Sequence, residues 1–158
     1  MQENNVVTLP CVTEEGLLEG VITIGDITKS YMNLYDSSII SKACTKYANI
    51  LDTLEGSMVV GDSEAYFDRG KVLIAAANPD LMENYIEKHD LVILGNRYES
   101  QLCAIEMEAG CIIVCEGAGV SLTIRKLAQE RGCAVITTPY DTYTTARLIN
   151  QSMPISYL

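Results

Sequence analysis

The chain has a single histidine, His89, among its 158 residues. That excludes a metal centre built on several imidazoles. Its six cysteines (Cys11, Cys44, Cys103, Cys111, Cys115 and Cys133) form no C-x-x-C pair. Most have apolar neighbours, which reads as reduced, buried thiols in a cytoplasmic protein. Basic residues are also scarce: 11 Lys and Arg stand against 21 Asp and Glu, for a net charge of −10. The basic residues never cluster along the chain. Nucleic acid and anionic membrane both need a basic patch, so neither is expected as a partner. No stretch approaches about 18 continuous apolar residues, so no membrane span is expected. The start, MQENN, lacks the basic end and apolar run of a secretion signal. There is no internal repeat and no low-complexity stretch.

What is present divides into two patterns. The first lies near the start. Val6 to Val12 is an apolar patch containing Pro10, as in an edge strand. Glu14-Glu15-Gly16 reads as a turn with charged tips, and Leu17 to Ile24 is rich in β-formers. Together they predict a short hairpin. Asp26 is placed to cap a following helix, on which Ile27, Tyr31, Leu34 and Tyr35 share one face. Residues 37–55 read as more helix, with Ile40, Ala43, Tyr47, Ile50, Leu51 and Leu54 at spacings of three and four and Gly56 as the C-cap.

The second pattern is an alternation. Val72–Ala77, Leu91–Gly95, Ile112–Cys115 and Ala134–Thr137 are short apolar runs starting 19, 21 and 22 residues apart. Between them lie helical stretches, Asp80–Glu87, Glu99–Ala109 and Ser121–Arg131. This period predicts an α/β fold with a parallel sheet flanked by helices. Runs that are apolar throughout suit strands covered on both faces. Met58–Val60 supplies a possible further strand, Thr142–Asn150 a closing helix, and Met153-Pro154 starts a new segment.

Two places carry candidate chemistry. In Gly20-Val21-Ile22-Thr23-Ile24-Gly25-Asp26 a strand delivers a hydroxyl, then a turn glycine, then a carboxylate at a helix start. A hydroxyl beside free helix amides suits a phosphate. A carboxylate suits the two hydroxyls of a ribose, since it accepts from both. The plainer reading makes Thr23 a strand residue and Asp26 an N-cap only. The other place is the set of loops after the strands: Gly95-Asn96-Arg97-Tyr98-Glu99-Ser100, Glu116-Gly117-Ala118-Gly119 and Thr138-Pro139-Tyr140-Asp141-Thr142. Here E-G-A-G lacks the third glycine of a dinucleotide loop, where Leu122 stands, and there is no G-K-[ST]. Tight strand-to-helix turns also need glycine. The polar loop with Asp62, Glu64, Asp68 and Arg69 reads as a solvated turn. Tyr140 and Tyr143 beside Asp141 read as packing or an interface. Ser121 and Thr123 open a helix and read as caps. No nucleophile and base are paired by sequence, so no catalytic residue is assigned.

The residues also carry resemblances. The stretch VVTLPCVTEEGLLEGVITIGD, with its G-x-x-T-x-x-D pattern, resembles the second half of a CBS repeat, a nucleotide-sensing unit. That resemblance implies that Thr23 contacts phosphate, that Asp26 contacts ribose, and that the backbone around Val6, Thr8 and Leu9 lines the adenine side. The first half of the repeat, its preceding strand and helix, is missing. Thr45–Ile149 resembles the DRTGG domain, through HDLVILGNRYESQLCAIEMEAGCIIVCEGAG and the closing TPYDTYTTARLI. GNRYES and CEGAG stand where that family carries D-R and T-G-G variants.

The order of parts resembles the regulatory insert of CBS-containing, manganese-dependent family II inorganic pyrophosphatases: CBS half, linker with KYANILDTLEG, DRTGG, then ARLINQSMPISYL. The implied division is residues 1–36 as the C-terminal half of a CBS domain, 37–55 as a helical linker, 56–150 as the DRTGG domain, and 151–158 as the start of a second CBS segment. The expectation is a piece from the middle of a larger regulated protein. Adenine nucleotides (AMP, ADP, ATP or a diadenosine polyphosphate) would be its ligands and a homodimer its assembly. Manganese and the hydrolysis of diphosphate to two phosphates would belong to an absent catalytic domain. The alternative is a non-binding dimerisation module of another enzyme, such as a phosphate acetyltransferase-like protein.

Overall fold

The structure is a computed structural model, and it describes residues 8–23, 37–75 and 78–151. The chain divides into two compact units, residues 1–36 and 37–158.

In the first unit β1 (Thr8–Val12) pairs antiparallel with β2 (Leu18–Thr23), as the hairpin reading expects. The turn closes because Thr13 bonds Leu17 from both sides: its amide donates to the Leu17 carbonyl at 2.8 Å, and its hydroxyl accepts from the Leu17 amide at 3.1 Å. Gly16 takes φ +83, which a residue with a Cβ adopts only under strain. The helix expected from Asp26, with Ile27, Tyr31, Leu34 and Tyr35, lies outside the described residues.

The second unit begins with α1 (Ile39–Lys42), β3 (Thr45–Lys46) and α2 (Tyr47–Leu54). The single helical stretch expected over 37–55 is therefore broken. Cys44 sits at φ +49, and the Thr45 hydroxyl donates to the Ile40 carbonyl at 2.7 Å, ending the first helix. β3 then pairs with β5 (Tyr66–Phe67). The C-cap differs too. Glu55, not Gly56, takes the left-handed conformation, at φ +48. Gly56 is required for a different reason: a Cβ there would meet the Thr137 carbonyl oxygen at 2.8 Å.

The main sheet has five strands in the order β4-β9-β8-β7-β6, and their ranges are β4 Ser57–Val60, β6 Val72–Ile74, β7 Leu91–Leu94, β8 Cys111–Val114 and β9 Ala134–Thr137. β6 to β9 run parallel, and β4 joins the far edge antiparallel to β9. Every side chain of β7 and β8 is buried, because each successive residue faces a different helical layer. Val92, Leu94, Ile112, Val114 and Val135 pack in one core. That core includes Ala104 and Ile105 of α4 (Tyr98–Glu106) and Ile124 and Ala128 of α5 (Leu122–Arg131). Leu91, Ile93, Ile113 and Ile136 pack on the other face with Ile50 and Leu54 of α2 and Ile149 of α6 (Thr142–Gln151). Each fully buried Ile or Leu contributes about 1.5–3 kcal/mol of transfer free energy.

Helix α3 (Pro79–Met82) is far shorter than the expected 80–87. Asn78 caps it through Oδ1, which accepts from the Leu81 amide. Beyond it the Glu87 amide donates to Asp90 Oδ2 at 2.9 Å rather than continuing a helical ladder. The element itself has already given way to i→i−3 turns at Asn84 and Tyr85. Ser121 does cap α5, accepting from the Ile124 amide, and Gly132 closes it at φ +72.

Candidate functional site

The hairpin register sets Thr8 opposite Thr23 and Leu9 opposite Ile22. The strand with Thr8 and Leu9 therefore lies directly alongside the strand that delivers Thr23. Val6 and Asp26, the outer members of the expected set, lie outside the described residues. The hairpin carries exposed apolar side chains at Val12, Leu17, Leu18 and Val21.

The strand-end loops of the second unit are largely tied to one another. The Glu116 amide donates to the Tyr140 carbonyl at 2.8 Å, and the Gly117 amide to the Thr138 carbonyl at 2.9 Å. Glu116 and Gly117 both take positive φ, so Gly117 serves the turn. The buried Thr138 hydroxyl donates to the Leu54 carbonyl at 2.7 Å. Gln101 is buried and its Nε2 donates to the Gly95 carbonyl. Tyr140 bonds Glu55, which holds its phenol above the usual range, and Tyr143 is exposed. Asp141 Oδ1 accepts from the Thr144 amide, and bonds to Thr144 hold its carboxyl below the usual range. Consecutive parallel strands are neighbours throughout β6 to β9, so the order never reverses and no switch-point crevice opens among them.

The four cysteines Cys103, Cys111, Cys115 and Cys133 are buried and free, whereas Cys44 is exposed. Burial pushes Cys111 well up and Cys133 to about 12. Among the described residues no group of three or more His, Cys, Asp or Glu is placed to hold a metal ion. No described helix is long and apolar enough to cross a membrane. In the polar loop Glu64 pairs with Lys46 at 3.1 Å and Asp68 with Arg69 at 3.7 Å, both on the surface.

One feature is invisible to a linear reading. Lys42, Arg69, Lys71 and Lys88 line a single open groove of about 510 Å³. They come from three separate segments, so no run of basic residues announces them.

Residues 49–152 match the DRTGG domain. The chain belongs to that family. All of it aligns at 35% identity with 29% of the cobalt-dependent inorganic pyrophosphatase of Clostridium perfringens. It aligns over 99% of its length at 26% identity with 28% of the probable manganese-dependent inorganic pyrophosphatase of Thermotoga maritima. A crystal structure of the CBS and DRTGG domains of the Clostridium perfringens pyrophosphatase regulatory region, complexed with its activator diadenosine tetraphosphate, matches 99% of this chain and 68% of that one, with a TM-score of 0.73 and 35% identity. The chain thus spans less than a third of these curated relatives and is homologous to the regulatory region of the Clostridium enzyme.

Proposed function

We propose that this chain is the adenine-nucleotide-sensing regulatory segment of a cytoplasmic inorganic pyrophosphatase. The observation that carries the reading is its whole-length similarity to a regulatory region crystallised with an adenine dinucleotide activator. In this reading Thr23 helps hold a phosphate, Asp26 holds the ribose, and the backbone of Val6, Thr8 and Leu9 borders the adenine. The Thr8–Thr23 register supports it, because it sets these strands side by side. Hydrolysis of diphosphate and its metal, manganese or cobalt as in the relatives, belong to the part of those enzymes that this chain does not span. The DRTGG unit acts as a spacer in a homodimer. AMP, ADP, ATP or a diadenosine polyphosphate shifts that dimer between arrangements, each only by its differential affinity for the two states.

The test is titration of AMP and diadenosine tetraphosphate into the regulated enzyme and its Asp26→Ala form. Asp26→Ala should weaken AMP by about 1.5–3 kcal/mol, the range for a lost hydrogen bond to a charged group. Hydrolysis without nucleotide should persist. Equal affinities would remove the site and leave the chain as a non-binding spacer.

A further inference from the structure

We propose that the groove lined by Lys42, Arg69, Lys71 and Lys88 is a second anion site, which takes a multiply charged phosphate chain. The chain as a whole carries a net charge of −10, yet four of its 11 basic residues converge here. Four cations face three lining carboxylates, Asp68, Glu87 and Asp90. The carboxylates are not equivalent. Asp90 is 1% exposed and already committed: Oδ1 accepts from the Lys71 amide at 3.0 Å and Oδ2 from the Glu87 amide at 2.9 Å. Asp90 Oδ2 also lies 3.7 Å from Lys71 Nζ, so its carboxylate both holds the two walls of the groove together and partly offsets Lys71. Asp68 and Glu87 are exposed, and their pairs with Arg69 and Lys71 are long, at 3.7 and 3.5 Å. Exposed pairs of this kind contribute little, so a ligand bearing several charges displaces them readily. Lys88 likewise makes a surface pair with Glu108 at 3.3 Å.

The frame is rigid where the cations are mounted. Gly70, between Arg69 and Lys71, has φ +91, and a Cβ there would lie 2.3 Å from the His89 carbonyl oxygen. The Gly70 carbonyl accepts from the Ser41 hydroxyl at 2.7 Å, which ties α1 to this loop. The Val72 amide donates to the Ser37 carbonyl at 2.8 Å and fixes the same junction. Lys42, Arg69 and Lys88 therefore stand on fixed backbone around an open space. Positive side chains on a preorganised frame suit phosphate oxygens, with Arg69 able to bind two at once. The groove lies wholly within the second unit and shares no residue with the hairpin. The proposal is independent of the nucleotide site above.

The experiment is a ¹⁵N-amide titration of the 158-residue chain with inorganic diphosphate, ATP and AMP. Diphosphate, ATP or both should shift the amides of Lys42, Gly70, Lys71 and Lys88, with affinity falling as salt rises. Shifts with both ligands define the shared phosphate chain. Shifts with diphosphate alone assign an inorganic ligand, and shifts with ATP alone a nucleotide. AMP, with one phosphate, should leave these amides in place. The double variant Lys42→Gln/Arg69→Gln should weaken binding about tenfold or more, while Lys126→Gln on α5 changes it little. An unchanged spectrum away from the groove confirms that the variants fold. The proposal is overturned if neither polyphosphate moves the groove amides, if AMP moves them equally, or if Lys126→Gln weakens binding as much as the double variant.

Discussion

The hairpin and the five-stranded sheet are built from similar apolar residues and meet opposite fates. In β7 and β8 all eight residues are buried. In the hairpin Val12 is 57% exposed, Leu18 66% and Val21 50%. The difference is not one of residue type, since Val and Leu appear in both. It comes from layering. The sheet has helices on both faces, α4 and α5 on one and α2 and α6 on the other. A two-stranded hairpin has no such cover within itself and is marginal on its own in water. The comparison teaches that apolar content alone does not mark a core. What marks it is an alternation that supplies a helix for each face.

The sharpest way to break this contrast is hydrogen exchange. Amides of β7 and β8 should be protected about a thousandfold or more beyond those of β1 and β2, since core strands open only near global unfolding. Comparable protection in the 158-residue chain would show that the hairpin is covered after all.

Substitution probes the same contrast on a smaller scale. Ile112→Ala, in a strand sealed on both sides, should cost about 2–5 kcal/mol in denaturant unfolding. Val21→Ala in the hairpin should change stability by no more than about 0.5 kcal/mol. Equal costs would contradict the layering argument.

The last effect lies in alkali. The Cys133 thiol is raised from 9.0 to about 12 by burial, and Cys111 is raised as well. The folded state thus holds these protons more tightly than the unfolded chain does. The Cys133 contribution is fully present below pH 9.0, falls as the pH rises above it, and is lost as pH passes about 12; that of Cys111 falls in the same direction. Denaturant midpoints should therefore decline above pH 9.0, and Cys133→Ala should flatten the decline. A midpoint that holds constant or rises across this window would remove the buried-thiol account.

Much was legible in the sequence because it was periodic. The apolar runs at Leu91–Gly95, Ile112–Cys115 and Ala134–Thr137, with helices between them, announce parallel strands covered on both faces, and the sheet has them. Glu14-Glu15-Gly16 announces a hairpin turn, since few residues other than glycine take φ +83. The Thr23–Asp26 motif and the order of resemblances to CBS and DRTGG sequences identify the relatives. Other features depend on atoms far apart in the chain. The 37–55 stretch has helical periodicity, but β3 is drawn into pairing with β5, some 20 residues later, and the helix breaks. Gly56 reads as a C-cap, yet the nearby Thr137 carbonyl is what demands it. Helix α3 stops early, giving way to i→i−3 turns at Asn84 and Tyr85, and the Glu87 amide beyond them goes to Asp90 instead of a helical carbonyl. The basic groove is the clearest case. Lys42, Arg69, Lys71 and Lys88 are dispersed in sequence, and only the folding of three segments against one another brings their charges together. Local patterns determine which elements form, because propensity and periodicity act between near neighbours. Long-range hydrogen bonds and charge convergence belong to the tertiary structure, because they form only between parts of the chain that folding brings into contact.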